Sequence, residues 1–424
     1  MKIASVPFKT KVPSGLKTKM PSGAWLVVGL LSLGACLNYL DRIMITTMRR
    51  SILDAIPMTE AQFGLLTSVF LWVYGILSPF AGFLADKFKR SYVIIGSLFL
   101  WSAVTWMTAY STTFGQLLAT RVLMGLSEAC FIPAALALIV DYHRNSTRSL
   151  ATGILMVGIM IGSGLGFVGG WVAEKHHWST IFIFLGFIGV AYSAILAVTL
   201  HDAPKDITEV ISEKPGDKVN FISGIKDLFK LRSFILVFVA WGLLGIVAWL
   251  VVGWLPTYFQ EHFNLSQGMA GLYATGYYYP AALVGLLLGG YWADRWSRTN
   301  PRARILVPVI GICIAAPSIF MASHANILSI AVICFMIFAL AKSFIDTNMM
   351  PILCLVVDPR YRATGYGVLN FVACIIGGVG LYAGGVLRDW HVNLSTIYQL
   401  AALTMIISVA LLAMVKPRST ALQE

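Results

Sequence analysis

The chain has 424 residues, 58% of them hydrophobic and 12% charged, with a formal net charge of +12. An ordinary soluble domain carries about 25% charged residues, so half of the expected surface charge is missing. A fold facing water on all sides cannot cover itself with so few ionic groups, which excludes a soluble enzyme, a disordered scaffold and a secreted disulfide module. The net charge does not point to nucleic acid either, because the basic residues sit at the termini and in short loops, not in a stripe beside aromatics. The six cysteines (Cys36, Cys130, Cys313, Cys334, Cys354 and Cys374) fall inside apolar stretches without metal-ligand or disulfide spacing, and are expected to be small core residues. No metal and no cofactor are implied.

A hydrocarbon core about 30 Å thick needs about 20 apolar helical residues, and twelve stretches qualify. Residues 1–23 form a basic tail with five lysines and no acid, lacking the cleavage site of a secretory signal. The bundle expected over 24–200 has spans at 24–46, 62–84, 92–112, 114–139, 150–172 and 179–200. A polar linker occupies 201–233, and apolar residues at helical spacing over 221–234 suit a helix lying along the interface. A second bundle over 234–415 has spans at 234–259, 269–292, 305–322, 327–356, 364–387 and 394–415, followed by a tail at 416–424. Of 31 lysines and arginines, 24 fall on the side of the N-terminus, four on the opposite side and three inside spans. The positive-inside rule then places both termini in the cytoplasm.

The two halves repeat. Gly82-Phe-Leu-Ala-Asp86-Lys87-Phe-Lys-Arg90 after the second span returns as Gly290-Tyr-Trp-Ala-Asp294-Arg295-Trp-Ser-Arg298 after the eighth. Asp141 with Arg148 is echoed by Asp358 with Arg362, each arginine being followed by an Ala-Thr-Gly run. These ten residues (Gly82, Asp86, Arg90, Asp141, Arg148, Gly290, Asp294, Arg298, Asp358 and Arg362) suit a gate, with glycines for close packing and acids to bond bases or helix ends. Two six-helix units repeated in this way resemble the major-facilitator layout. That implies an all-α integral membrane fold, twelve transmembrane helices in two pseudo-symmetric bundles, with a substrate site between them. Gly164-Leu-Gly166-Phe-Val-Gly169 matches a dinucleotide-binding pattern, but it lies inside an apolar span without the strand that pattern requires. The glycines of the fifth and eleventh spans instead suit close helix approach.

Few charges lie at membrane depth, where each costs roughly 2.5–3.5 kcal/mol. The acids are Asp41, Glu128 and Asp346, and the bases Arg42, Arg121 and Lys342. Arg121 and Glu128 are seven apart, on one helix face but roughly 10 Å from each other. Asp41 and Arg42 are adjacent and address different neighbours, whereas Lys342 and Asp346 are four apart and can touch. Carboxyls in a partly desolvated cavity can load and release protons, making Asp41, Glu128 and Asp346 candidates for proton coupling, with sodium open as the alternative ion. Arginine offers a planar fork to carboxylate or phosphate, so Arg42 and Arg121, with Lys342, Tyr74, Tyr277 and Asn370, are candidates for substrate contact. Purely structural ion pairs remain the alternative, above all for Lys342 with Asp346.

Asn38-Tyr-Leu-Asp41-Arg42, Trp72-Val-Tyr74, Arg121 with Gly125-Leu-Ser-Glu128-Ala-Cys-Phe-Ile-Pro133, Trp254-Leu-Pro-Thr-Tyr258 and Gly367-Val-Leu-Asn370 resemble the anion:cation symporters, which include sialin and bacterial sugar-acid permeases. The resemblance implies proton-driven symport of a small organic anion, with Asp41 and Glu128 protonated and Arg42, Tyr74, Arg121 and Asn370 near substrate. Ile159, where sugar-acid members tend to carry a polar residue, and the Lys342–Asp346 pair depart from that pattern. Gly162-Ser-Gly164-Leu-Gly166 with Asp86-Lys-Phe-Lys-Arg90 resembles Spinster-type transporters of lysolipids and other amphiphiles. The expectation is a monomeric transporter, not an enzyme, in the lipid bilayer of a bacterial cytoplasmic (inner) membrane, with a small-molecule anion and protons as partners.

Overall fold

A computed structural model describes residues 23–143, 147–203 and 221–418, and no strand occurs among them. The N-terminal tail, most of the first half of the linker and the last six residues lie outside the described residues. Eleven of the described helices are long and apolar enough to cross a membrane. The expected span at 269–292 differs from the others. It is built of Gln267–Gly271, a π-helical turn at Leu272–Gly276 and the helix Tyr278–Ser297, whose three tyrosine and two tryptophan rings and Asp294–Arg295 lower its apolar character. The linker helix, Phe221–Phe229, packs on the second bundle through Phe229, whose ring meets Phe234 and Phe238 at 5.6 and 5.1 Å.

The span order runs Ala24–Thr47, Glu60–Lys87, Arg90–Thr108, a broken span over Phe114–Tyr142, a second broken span over Arg148–Lys175, and Ser179–Thr199. The second half has Arg232–His262, the π-interrupted eighth span, Ala303–His324, Leu328–Val356, Arg362–Asp389 and Leu394–Ala413. We call the face that holds Ala24 and Arg418 proximal and the opposite face distal. The fourth span breaks at Ala129–Cys130, directly after Glu128, because Pro133 has no N–H to return to Ala129. Pro351, five residues after Asp346, leaves the tenth span continuous.

Breaks in apolar surroundings orphan backbone carbonyls, which must find donors. In the fifth span, the Thr275 hydroxyl donates to the Gly164 carbonyl at 3.0 Å and Thr47 donates to Gly166 at 2.9 Å. The glycine pattern taken from the sequence is thus a helix break facing the π turn of the eighth span. Nearby, Gly158 and Gly162 lie against the Ser32 and Cys36 carbonyls of the first span. In the eleventh span, Gly378 abuts Trp72, Gly384 abuts Trp254 and Gly385 abuts the Glu60 backbone. Of the six cysteines, Cys334 and Cys374 are buried but Cys313 is exposed, so that position is a surface residue of its span and not a core one.

The hydrophobic core is asymmetric. One core runs through the second bundle and crosses between the halves on the distal side, joining Met44, Phe63 and Phe70 to Val251, Trp254 and Leu381. The proximal part of the first bundle has a separate core, built from residues such as Leu31, Leu98, Phe131 and Leu155. The halves are therefore one body distally and two proximally.

A side chain at Gly162 would need the first span's backbone to move. Gly162→Val should cost about 1–3 kcal/mol or more, whereas Gly153→Ala, with nothing near its added carbon, should hold or gain up to about 1 kcal/mol through helix propensity. Melting temperatures of the two purified variants in detergent check the contrast.

Candidate functional site

Five of the expected site residues converge in the first bundle. Arg42 donates to Glu128 Oε2 from Nη2 at 2.8 Å and from Nε at 3.3 Å, and reaches Asn38 Oδ1 at 3.4 Å. Its guanidinium carbon lies 4.4 Å from the centre of the Tyr39 ring, 4.7 Å from Phe70 and 4.6 Å from Tyr74. The cage follows from local spacing, since Asn38 is one helical turn before Arg42 and Phe70 and Tyr74 stack one turn apart on the second span. Both charges are nearly sealed, Glu128 completely so. Truncating one partner of such a pair typically costs about 3–5 kcal/mol, because the other charge stays buried alone. Asp41, adjacent in sequence, turns to the third span and accepts a hydrogen bond from Thr105.

Arg121 is different. Its side chain is buried over the face of Phe182, and neither Nε nor Nη2 has a hydrogen-bond partner. Asp41 and Glu128 lie within electrostatic reach but do not bond it. Asp41 Oδ1, Glu128 Oε1 and Asn38 Nδ2 are also buried without partners. Unpartnered polar atoms at this depth are costly, and their concentration in one place marks a site.

Arg42 and Arg121 line a small cavity of about 30 Å³ between the halves, part of it open to the outside. Its other walls are mainly apolar, with Ile43, Leu66, Phe70 and Leu71 from the first bundle facing Trp249, Val252 and Leu381 from the second, and Thr46 and Thr67 as hydroxyls. Arg121 and Glu128 do not share one wall, as their spacing suggested. Glu128 turns away to hold Arg42, and Arg121 alone of the two lines the cavity.

The remaining expected residues scatter. Tyr277 is exposed and stacks on Tyr273 at 5.5 Å, away from the cavity lining. Asn370 is half-buried on the eleventh span. Lys342 and Asp346 pair with each other at 2.7 Å. Tyr39, Phe70 and Thr105 complete the site but were not among the sequence candidates. The position of Tyr39 three residues before Arg42 was the available signal.

At the proximal face, Arg90 pairs with Asp141 and donates to the Ala137 carbonyl at 3.0 Å. The repeat does not reproduce that bond. Asp294 bonds Arg304 at 3.4 Å, and Asp358 bonds Arg360 at 3.2 Å and Arg418 at 3.1 Å, while Arg148 and Arg298 are exposed. Hydrogen bonds from Arg360 and then Arg418 hold the Asp358 carboxyl below the usual carboxylate range. Arg362 donates to the Cys354 carbonyl at 3.3 Å, and Gly290 sits beside Thr347. Gly82 and Asp86 belong to the end of the second span, outside the residues whose side chains are described.

At the distal face the halves are latched. Arg49 pairs with Glu60 and reaches Glu261 at 3.3 Å, and Arg388 donates to Glu261 at 2.7 and 2.9 Å and to Glu60 at 3.5 Å. Asp389 accepts from the Glu60 and Ala61 amides at 2.9 and 3.0 Å, so a carboxylate of one half caps a helix of the other. Gln267 adds bonds to Ser51, and the Gly268 amide donates to Glu174 at 2.8 Å.

Residues 31–381 match the Major Facilitator Superfamily, and residues 260–422 match it again. Protein spinster homolog 1 of Xenopus tropicalis is 26% identical over 376 residues, covering 83% of this chain and 70% of that protein. An MFS-type efflux pump of Mycolicibacterium smegmatis is 24% identical over 379 residues, covering 87% and 85%. The sphingosine-1-phosphate transporter SPNS2 of Xenopus tropicalis is 25% identical over 374 residues, covering 83% and 71%. Among solved structures, a bacterial homolog of the human lysosomal transporter Spinster, inward-facing and unoccupied, superposes with a TM-score of 0.74 at 21% identity, covering 94% of this chain and 96% of that one. The chain belongs to the major facilitator superfamily. It is an integral, multi-pass membrane transporter and not an enzyme.

Each partly exposed ion pair of the distal latch contributes at most about 1 kcal/mol, which corresponds to a roughly fivefold change in a two-state population. Arg388→Ala should therefore shift the distal face toward opening by a few-fold. Spin labels at Asp54→Cys and Trp390→Cys, with the native cysteines replaced, should show a longer-distance population in that variant; an unchanged distance distribution would mean that apolar packing alone holds the face shut.

Proposed function

We propose that the protein is a secondary active transporter that carries an amphiphilic anion, a carboxylate or phosphate on an apolar tail, together with a proton. The observation that carries this reading is the buried guanidinium of Arg121, unpartnered and facing an otherwise apolar cavity. A planar fork of donors suits an oxyanion, and the surrounding isoleucine, leucine, phenylalanine and tryptophan suit a hydrocarbon chain. Only Thr46 and Thr67 supply hydroxyls to the lining, few partners for the many hydroxyls of a sugar acid. The likeness to Spinster homologues and to a sphingosine-1-phosphate transporter supports the amphiphile over the sugar acid.

Charge balance supports the proton. Asp41, Glu128, Arg42 and Arg121 sum to zero when all are ionised, so an added monoanion leaves the buried cluster with one uncompensated negative charge. A proton on Glu128 removes that charge and also loosens Arg42, whose fork then turns to the anion beside Arg121. Anion and proton therefore favour each other's binding. The proximal face is read as cytoplasmic from the distribution of basic residues, and the latched distal face as the closed side of an inward-facing state. Alternating access would break the latch and close the proximal gate around Arg90, Asp141 and the paired loops.

Uptake of a radiolabelled lysophospholipid or alkyl phosphate into proteoliposomes under an imposed pH gradient tests both parts. Arg121→Ala should weaken binding at least tenfold. Glu128→Gln should abolish gradient-driven accumulation while sparing exchange, and normal uphill uptake by that variant would remove it as the proton carrier. Stabilisation of the purified protein by a sugar acid, with none by amphiphiles, would return the reading to a small-anion symporter.

A further inference from the structure

The Lys342–Asp346 pair is not explained by that site, and its setting does not suit a structural bridge. Both residues belong to one helix, Leu328–Val356, so their 2.7 Å bond ties no two elements together. The pair lies on the side of that helix opposite its outward residues Ile330, Ile333 and Ile337, which are all exposed. It therefore points into the protein. Along this inner side, exposure rises toward the proximal end. Phe335 and Phe338 are sealed, whereas the Asp346 side chain is 34% exposed and Met350 is open as well. An inward-pointing side that becomes exposed borders an internal opening. Tyr366, itself exposed, lies within electrostatic reach of both Asp346 and Tyr39, and Tyr39 is the ring over Arg42. Tyr366 thus stands between the pair on the second half and the ring that covers Arg42 on the first.

Depth separates them. The fourth and tenth spans both run from distal to proximal, with Arg121 in the second turn of its helix and Lys342 seven residues farther along its own. At 1.5 Å per residue, Lys342 lies roughly 10 Å farther from the distal end of its own helix than Arg121 does from the end of its helix. We propose that Lys342 is a second anion station, on the second bundle, which receives the oxyanion head group of the substrate before it reaches Arg121 and gives up Asp346 to do so. Asp346 is the built-in competitor. In the empty protein it neutralises Lys342, and an arriving carboxylate or phosphate exchanges with it for the ammonium donors.

This inference rests on the amphiphilic-anion reading, and one set of binding measurements separates the two. The probe is radiolabelled dodecyl phosphate, titrated onto the purified full-length protein in non-ionic detergent. Lys342→Ala should weaken binding several-fold, Lys342→Arg should restore it, and Asp346→Asn should tighten binding several-fold because the ammonium no longer has a competitor. A purely structural pair predicts the opposite sign for Asp346→Asn, namely weaker binding with a lower melting temperature. That result, or unchanged affinity in both Lys342→Ala and Asp346→Asn, overturns the station. If Arg121→Ala binds normally while Lys342→Ala does not, the deep receptor falls and the station stands. No binding by the wild-type protein overturns both.

Discussion

The structure depends on how a guanidinium is kept charged inside a membrane bundle. Arg42 is held by Glu128 across 86 residues of sequence and enclosed by three aromatic rings. A charge at this depth is tolerable only with a partner and a polarisable wall, and Arg42 has both. Both acids within reach of Arg121 are otherwise engaged, Glu128 by Arg42 and Asp41 by Thr105. Arg121 is left buried and unsatisfied, and the break after Glu128 at Pro133 belongs to the same stretch of helix that positions the acid. The open donors of Arg121 thus follow from where the stable ion pair forms.

Much of the fold was legible because it is written in local chemistry. Span length follows from bilayer thickness, the repeat from paired loop motifs, and the Lys342–Asp346 bond from a four-residue spacing. What escaped depends on tertiary pairing. The partner of Arg42 could have been any of the acids in the spans, and only the packing of the first span beside the fourth selects Glu128. Thr105 looks like an ordinary small residue in an apolar helix, yet it holds Asp41. Arg49, Glu60, Glu261 and Arg388 read as solvated charges near span ends, and their union into one latch needs both bundles in place. The weakness of the eighth span by composition also has a physical cause. Its π turn meets the fifth span through Thr275, and Tyr278 is buried, so hydropathy understates its place in the bundle.

The asymmetry of the core complements the latch. Where the halves share apolar packing distally, ion pairs and a cross-half helix cap reinforce the same seam. Where they part proximally, the bonds of Arg90 with Asp141, Asp294 with Arg304, and Asp358 with Arg360 and Arg418 each stay within one half. Gly385 of the eleventh span lets it meet the Glu60 backbone of the other half, whereas Gly158 and Gly162 of the fifth span let it meet the first span at backbone distance within one half.

The six ionisable groups at membrane depth also have an electrical consequence. Three acids and three bases, all ionised, sum to zero across the spans. A voltage acts on net charge moved, at about 2.3 kcal/mol per elementary charge per 100 mV. The empty protein, reorienting as a balanced body, therefore exchanges almost no work with the membrane potential. A bound monoanion accompanied by one proton preserves that balance, whereas a monoanion alone does not. On the proposed reading, such a carrier draws on the chemical gradient of protons and is nearly blind to voltage.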